Sequence, residues 1–219
     1  PGSSFVDLEA LRGHIGDCHR CLLGDTRTSI MFGVGDEHAR LMLIGEAPGR
    51  TEDLRGEPFV GAAGALLDEL LESIGLARQD VYIANILKCR PPGNRDPLVD
   101  EMSACTPFLV EQVRLIAPDV IATLGNFSTR FMLGTTRPIS ALRGRLFRVA
   151  DLRVVPIFHP AAALYDRSKR DVLFDDFRRL RAVLDGPAGR PDASSDGRNG
   201  RPGDQTTTGR GGTAQPPLF

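Results

Sequence analysis

Four short apolar runs punctuate the chain: Leu41–Ile44, Val81–Ile86, Val120–Leu124 and Val154–Phe158. Each is too short for a buried helix, and three are rich in β-branched residues, so they read as buried strands. Longer stretches with apolar residues three and four apart lie between them, at about 61–74, 98–116 and 126–133, and a last one at about 170–184. A shorter helical pattern opens the chain at Phe5, Leu8, Leu11 and Ile15. Strands alternating with helices predict an α/β protein, a parallel sheet covered by helices on both faces. Right-handed crossovers then bring all four strand ends to one rim.

The segments that follow the strands are the informative ones. After the first comes Gly45-Glu46-Ala47-Pro48-Gly49, running on to Pro58-Phe59-Val60-Gly61. It joins two carboxylates, Glu46 and Glu52, to one aromatic, Phe59, where open α/β sheets bind ligands. The second strand ends at Asn85 and the fourth runs into His159-Pro160. Leu22 to Asp36 is turn-rich and is expected to wrap over the surface.

Composition changes the picture at two places. The formal net charge is -1, which gives no global basic field, and only two lysines, Lys88 and Lys169, stand among 27 basic residues. Arginine therefore supplies local positive charge, and a local patch suffices for a nucleic-acid partner. Residues 186–214 carry almost nothing apolar and are expected to be a disordered tail. Residues 1–185 are expected to form one domain. No segment resembles a signal peptide or is long enough to span a bilayer, so a soluble cytoplasmic protein is expected.

In that compartment disulfides are disfavoured, and Cys18, Cys21, Cys89 and Cys105 need another use. Their C-x2-C and C-x15-C spacing suits four-thiolate binding of zinc or of a four-iron cluster. Spacing alone does not separate the two.

Together, Gly45-Glu46-Ala47-Pro48-Gly49, Glu52-Asp53, Gly56 to Gly61, Asn85-Ile86-Leu87-Lys88-Cys89-Arg90-Pro91-Pro92, His159-Pro160 and the four cysteines in order resemble the family 4 uracil-DNA glycosylases. The resemblance covers residues 5 to 184. It implies a three-layer α/β/α sandwich with a four-stranded parallel sheet and a structural [4Fe-4S] cluster on Cys18, Cys21, Cys89 and Cys105. It also implies hydrolysis of the N-glycosidic bond of a uracil flipped out of DNA. Phe59 would stack on the base, Asn85 would read its edge, Ala47 would offer a backbone amide, and His159 would bond O2 as charge develops. Better-known uracil glycosylases carry an Asp at the place of Ala47. Water handling would then fall to Glu52 first and Glu46 second. Leu164 would wedge the vacated stack, with Tyr165 as its rival, while Arg167, Lys169 and Arg170 would meet phosphates. A related group that bonds covalently to uracil-DNA carries a basic insertion with a histidine after the Asn strand. Cys89 to Pro97 has neither, so hydrolytic turnover is expected.

Gln215, Leu218 and Phe219 resemble the short bacterial sliding-clamp-binding peptide. Nothing in the chain speaks for an oligomer, and a monomer is expected. The competing class is a four-cysteine iron–sulfur or zinc module that binds DNA or transfers electrons without glycosylase activity. Survival of function after Asn85→Ala would favour it.

Overall fold

The structure, a computed structural model, describes residues 5–187. The expectations for the tail and for Gln215, Leu218 and Phe219 lie outside the described residues. In chain order the elements are α1 (Leu8–Ile15), β1 (Val34–Gly35), β2 (Leu41–Gly45), α2 (Arg50–Arg55), α3 (Ala62–Glu72), β3 (Tyr82–Asn85), α4 (Val99–Ile116), β4 (Val120–Leu124), α5 (Asn126–Leu133), β5 (Phe147–Val149), β6 (Leu152–Ile157), α6 (Ala162–Tyr165) and α7 (Ser168–Asp185).

The sheet has the order β1-β3-β2-β4-β6-β5. Its four central strands are parallel, as the apolar runs predict. The sheet is six-stranded overall because two short antiparallel strands, β1 and β5, close its edges. Both are too short and too exposed to leave an apolar signature.

Side chains alternate across the sheet. Met42, Ile44, Ala84 and Ile121 face α1, α4 and α5, packing on Leu11, Leu109, Val113 and Met132. Leu41, Leu43, Ile83 and Ala122 face α3 and α7, packing on Leu67, Leu70, Leu173 and Phe177. Two apolar layers thus sandwich one sheet, which is the predicted three-layer arrangement. The segment 22–36 departs from expectation: Leu23, Met31 and Phe32 are buried, so it passes through the core margin rather than over the surface. Among the described residues no helix is long and apolar enough to cross a membrane.

Parallel register decides where the strand-end residues meet. Gly45 pairs with Asn85, and Leu124 with Ile157. The residues just beyond β2, β3 and β6 therefore share one rim.

Candidate active site

That rim holds a pocket of about 360 Å³ whose lining includes Glu46, Ala47, Glu52, Phe59, Asn85 and His159. The four residues expected to meet the base and the two carboxylates expected to handle the water are brought together. Pro91, Asn94 and Arg95 complete one wall; of these, Pro91 belongs to the motif that carries the family resemblance.

Asn85 ends β3 and is buried, and its Oδ1 has no hydrogen-bond partner among the described residues. A buried acceptor without a partner costs free energy, so its persistence in a pocket marks a place for a donor. Gly45 permits this: a Cβ there would lie 2.3 Å from Asn85 Oδ1 and 2.9 Å from Phe59 Cζ. Any side chain at 45 would fill the slot between the carboxamide and the ring.

Phe59 has φ 55°, a conformation a bulky side chain adopts only when its surroundings compel it. Its ring meets the His159 imidazole with centroids 5.5 Å apart and planes 24° apart, an offset stack. The rest of the aromatic face is left for a flat ligand.

His159 Nδ1 accepts from the Ala161 N–H at 3.1 Å. The proton of the neutral ring then belongs on Nε2, a tautomer assigned from this bond. Burial lowers the His159 pKa to about 4, against a smaller opposing pull from the negative charge of Glu52. The imidazole is neutral at physiological pH.

The two carboxylates differ. Glu52, in the first turn of α2, accepts through Oε1 from the N–H groups of Val60 and Gly61, each at 3.2 Å. These lie at the N-terminus of α3, whose dipole favours an anion. The next residue, Asp53, is buried and accepts from Thr28 and Ser29 N–H, which ties α2 to the chain before β1. Glu46 has its pKa raised, first by burial and then by the nearby Asp96.

Beyond His159, α6 presents Leu164 at 49 % exposure and Tyr165 at 91 %. Arg167 is exposed. Lys169 pairs with Asp166 at 3.3 Å, and Arg170 pairs with Glu69 on α3. Both cations therefore carry a carboxylate partner.

The four cysteines lie together behind the pocket. They form no disulfide, and all four line one cavity with Ile15, Ile30, Lys88 and Phe108. Burial pushes the Cys89 thiol up to about 12, and also raises Cys105. The Lys88 N–H donates to Cys105 Sγ at 3.2 Å, and Arg20 donates to Cys18 Sγ at 3.4 Å. Four sulfurs with N–H donors around one apolar space fit a thiolate-bound group, since N–H bonds to the sulfurs offset thiolate charge. Lys88 also ties this cavity to the pocket. Its buried Nζ donates to the Asn85 carbonyl at 2.8 Å and to Gln112 Oε1 at 2.6 Å.

Fold and pocket define the class: an α/β/α protein with a pocket lined by carboxylates, a carboxamide, an imidazole and an aromatic ring at the C-terminal rim of its parallel sheet. Residues 32–182 match the uracil DNA glycosylase superfamily. The type-4 uracil-DNA glycosylase of Archaeoglobus fulgidus is 46 % identical over 183 residues, covering 79 % of this chain and 91 % of that protein. That of Thermotoga maritima is 39 % identical over 181 residues, or 81 % and 94 % of the two chains. The type-5 uracil-DNA glycosylase of Pyrobaculum aerophilum is 32 % identical over 144 residues, and covers only 58 % of this chain and 63 % of that protein. The chain belongs to the uracil DNA glycosylase superfamily and, within it, to the type-4 uracil-DNA glycosylases.

Proposed function

We propose that the chain excises uracil from DNA by hydrolysing its N-glycosidic bond, leaving an abasic site, as a step of base excision repair. The observation that carries this reading is the orphan Oδ1 of Asn85, set beside the open face of Phe59. Uracil N3–H supplies the missing donor, and the amide N–H of the same side chain suits O4. Cytosine reverses both groups and leaves the carboxamide unmatched. The base must leave the stack to reach this pocket. Phe59 then offers it a face worth ~1–3 kcal/mol, and the Ala47 backbone borders the slot.

In the reaction a water oxygen attacks C1′ and the C1′–N1 bond breaks. The bonding pair goes to the uracil ring and spreads to O2. The neutral His159 donates Nε2–H to that oxygen, where a fixed donor in a dry site acts most strongly. Glu52, anchored by the Val60 and Gly61 N–H groups at the start of α3, orients the water and steadies the cationic sugar. Its free oxygen is the natural destination for the water's proton. Glu46, with its raised pKa, is the second candidate. Leu164 fills the gap in the stack. Arg167, Lys169 and Arg170 meet phosphates, Lys169 and Arg170 after leaving their carboxylate partners.

Cys18, Cys21, Cys89 and Cys105 would hold a [4Fe-4S] cluster. Four thiols lining one apolar cavity suit zinc or a cluster alike, and kinship with the type-4 glycosylases favours the cluster. Its contribution is structural: it would tie α1, α4 and the Cys89 loop behind the pocket. Residues 1–185 form the catalytic unit, active as a monomer, and Gln215, Leu218 and Phe219 dock on a sliding clamp.

The test is incubation with single-stranded, U·A and U·G oligonucleotides followed by alkaline cleavage. Strand breaks at uracil are expected. Asn85→Ala is expected to cut release by about 10²-fold or more, with the fold retained because its Oδ1 has no partner to lose. No release from any of the three substrates would overturn the assignment.

A further inference from the structure

The backbone that carries Phe59 is gripped from outside the pocket. Arg78, in the turn just before β3, donates from Nη1 to the Pro58 carbonyl at 3.1 Å and from Nη2 to the Phe59 carbonyl. The same Nη2 reaches the Gly64 carbonyl at 3.5 Å. Asp68, on α3, accepts from Arg78 Nε at 2.5 Å. One planar fork thus spans two successive carbonyls and a carboxylate, a pattern that five fixed N–H donors allow and an ammonium does not. Gly64 completes the fit: a Cβ there would stand 1.7 Å from the Phe59 carbonyl oxygen. No side chain can occupy that position while Phe59 keeps its shape.

Phe59 holds a positive φ of 55°, and such a conformation persists only where its surroundings over-determine it. The surroundings here are Arg78, Asp68 and Gly64, none of which lines the pocket. Arg78 also starts the segment that ends at Asn85, so one stretch of chain sets the platform at one end and the base-reading carboxamide at the other.

We propose that Arg78, pinned by Asp68, is a positioning residue that fixes the Phe59 ring as the platform for the flipped base. The inference rests on the reading of Phe59 as that platform, and a double-mutant cycle separates the two. Excision from a single-stranded uracil oligonucleotide is measured for the full chain, for Arg78→Gln, for Phe59→Ala and for the pair. Phe59→Ala is expected to lower kcat/KM by about 5- to 150-fold, the range of one base–aromatic stack. Arg78→Gln is expected to lower it about tenfold, with the loss in KM rather than kcat. In the Phe59→Ala background the Arg78→Gln loss is expected to vanish, because the two act through one contact.

A merely structural arginine would cost as much in either background, and additive losses would overturn the clamp while leaving the platform standing. Full activity of Phe59→Ala would instead sink the platform reading itself. Asp68→Asn, at a half-exposed position, keeps the fold accessible should Arg78→Gln not fold. It is expected to show a smaller KM effect that also disappears without the Phe59 ring, and persistence of that effect would count against the clamp.

Discussion

In the proposed mechanism His159 works because it is not charged. Its Nδ1 is occupied by the Ala161 N–H, so the ring has one proton to offer, on Nε2, and burial keeps a second proton off until about pH 4. A histidine with an ordinary pKa would be half protonated near pH 6.5. The folded-state pKa is depressed, so between about 6.5 and 4 the unfolded chain binds the proton more readily than the folded one. Folding stability therefore declines as pH falls through that window. NMR titration of the His159 ring should show it neutral through pH 6.5 and protonating only towards pH 4; a midpoint near 6.5 would refute the neutral-donor role. Asn85 makes the opposite compromise, since its unpartnered Oδ1 costs stability in the free protein and, in the proposed reading, is satisfied by the base. Both residues stand at strand ends that the apolar runs mark. Their environment comes from neighbours distant in sequence, such as Gly45 beside Asn85, which is why type and position were legible while protonation and hydrogen bonding were not.

At the scale of elements, the long loop between β2 and α3 is where sequence patterning was least informative. It contains α2, a helix of six residues, shorter than any window in which helical periodicity accumulates. That short helix presents Glu52 to the N-terminus of α3 and sends Asp53 the other way, to Thr28 and Ser29. The positive φ of Phe59 was equally invisible, because its causes, Arg78 and Gly64, act through space. The central strands, by contrast, were legible because burial on both faces demands apolar runs. Under the proposed mechanism Glu52 has two separable duties, holding the start of α3 and supplying negative charge. Glu52→Gln retains an acceptor for the Val60 and Gly61 N–H groups and removes only the charge. Its melting temperature should stay within a few degrees of the parent, while kcat for uracil release falls by about 10²–10³-fold. Glu46→Gln made in parallel should cost far less. The reverse order would move water handling to Glu46, whose carboxyl is raised towards the neutral form.

At the scale of the whole molecule, the six pocket residues of the proposed chemistry lie between Glu46 and His159, and the last helix closes the sandwich behind them. The C-terminus of α7 is capped from within the fold. Arg40 donates to the Leu184 carbonyl, and Arg153 donates to the carbonyls of Val183 and Pro187. The bonds to Leu184 and Val183 satisfy two end-of-helix carbonyls that would otherwise need partners. A chain ending at Pro187 should release uracil from a short oligonucleotide with unchanged kcat/KM. The terminal Gln215, Leu218 and Phe219 have a different use if they dock on a sliding clamp: a tethered anchor raises the local concentration of enzyme near DNA without touching the active site. Removing residues 215–219 should therefore abolish binding to a bacterial sliding clamp in a titration. It should also slow excision on clamp-loaded DNA, yet leave excision on the isolated oligonucleotide untouched. Equal clamp affinity with and without the five residues would remove the tether from the account. A loss of activity on the oligonucleotide would mean instead that the tail reaches the pocket, against the self-contained capping of α7.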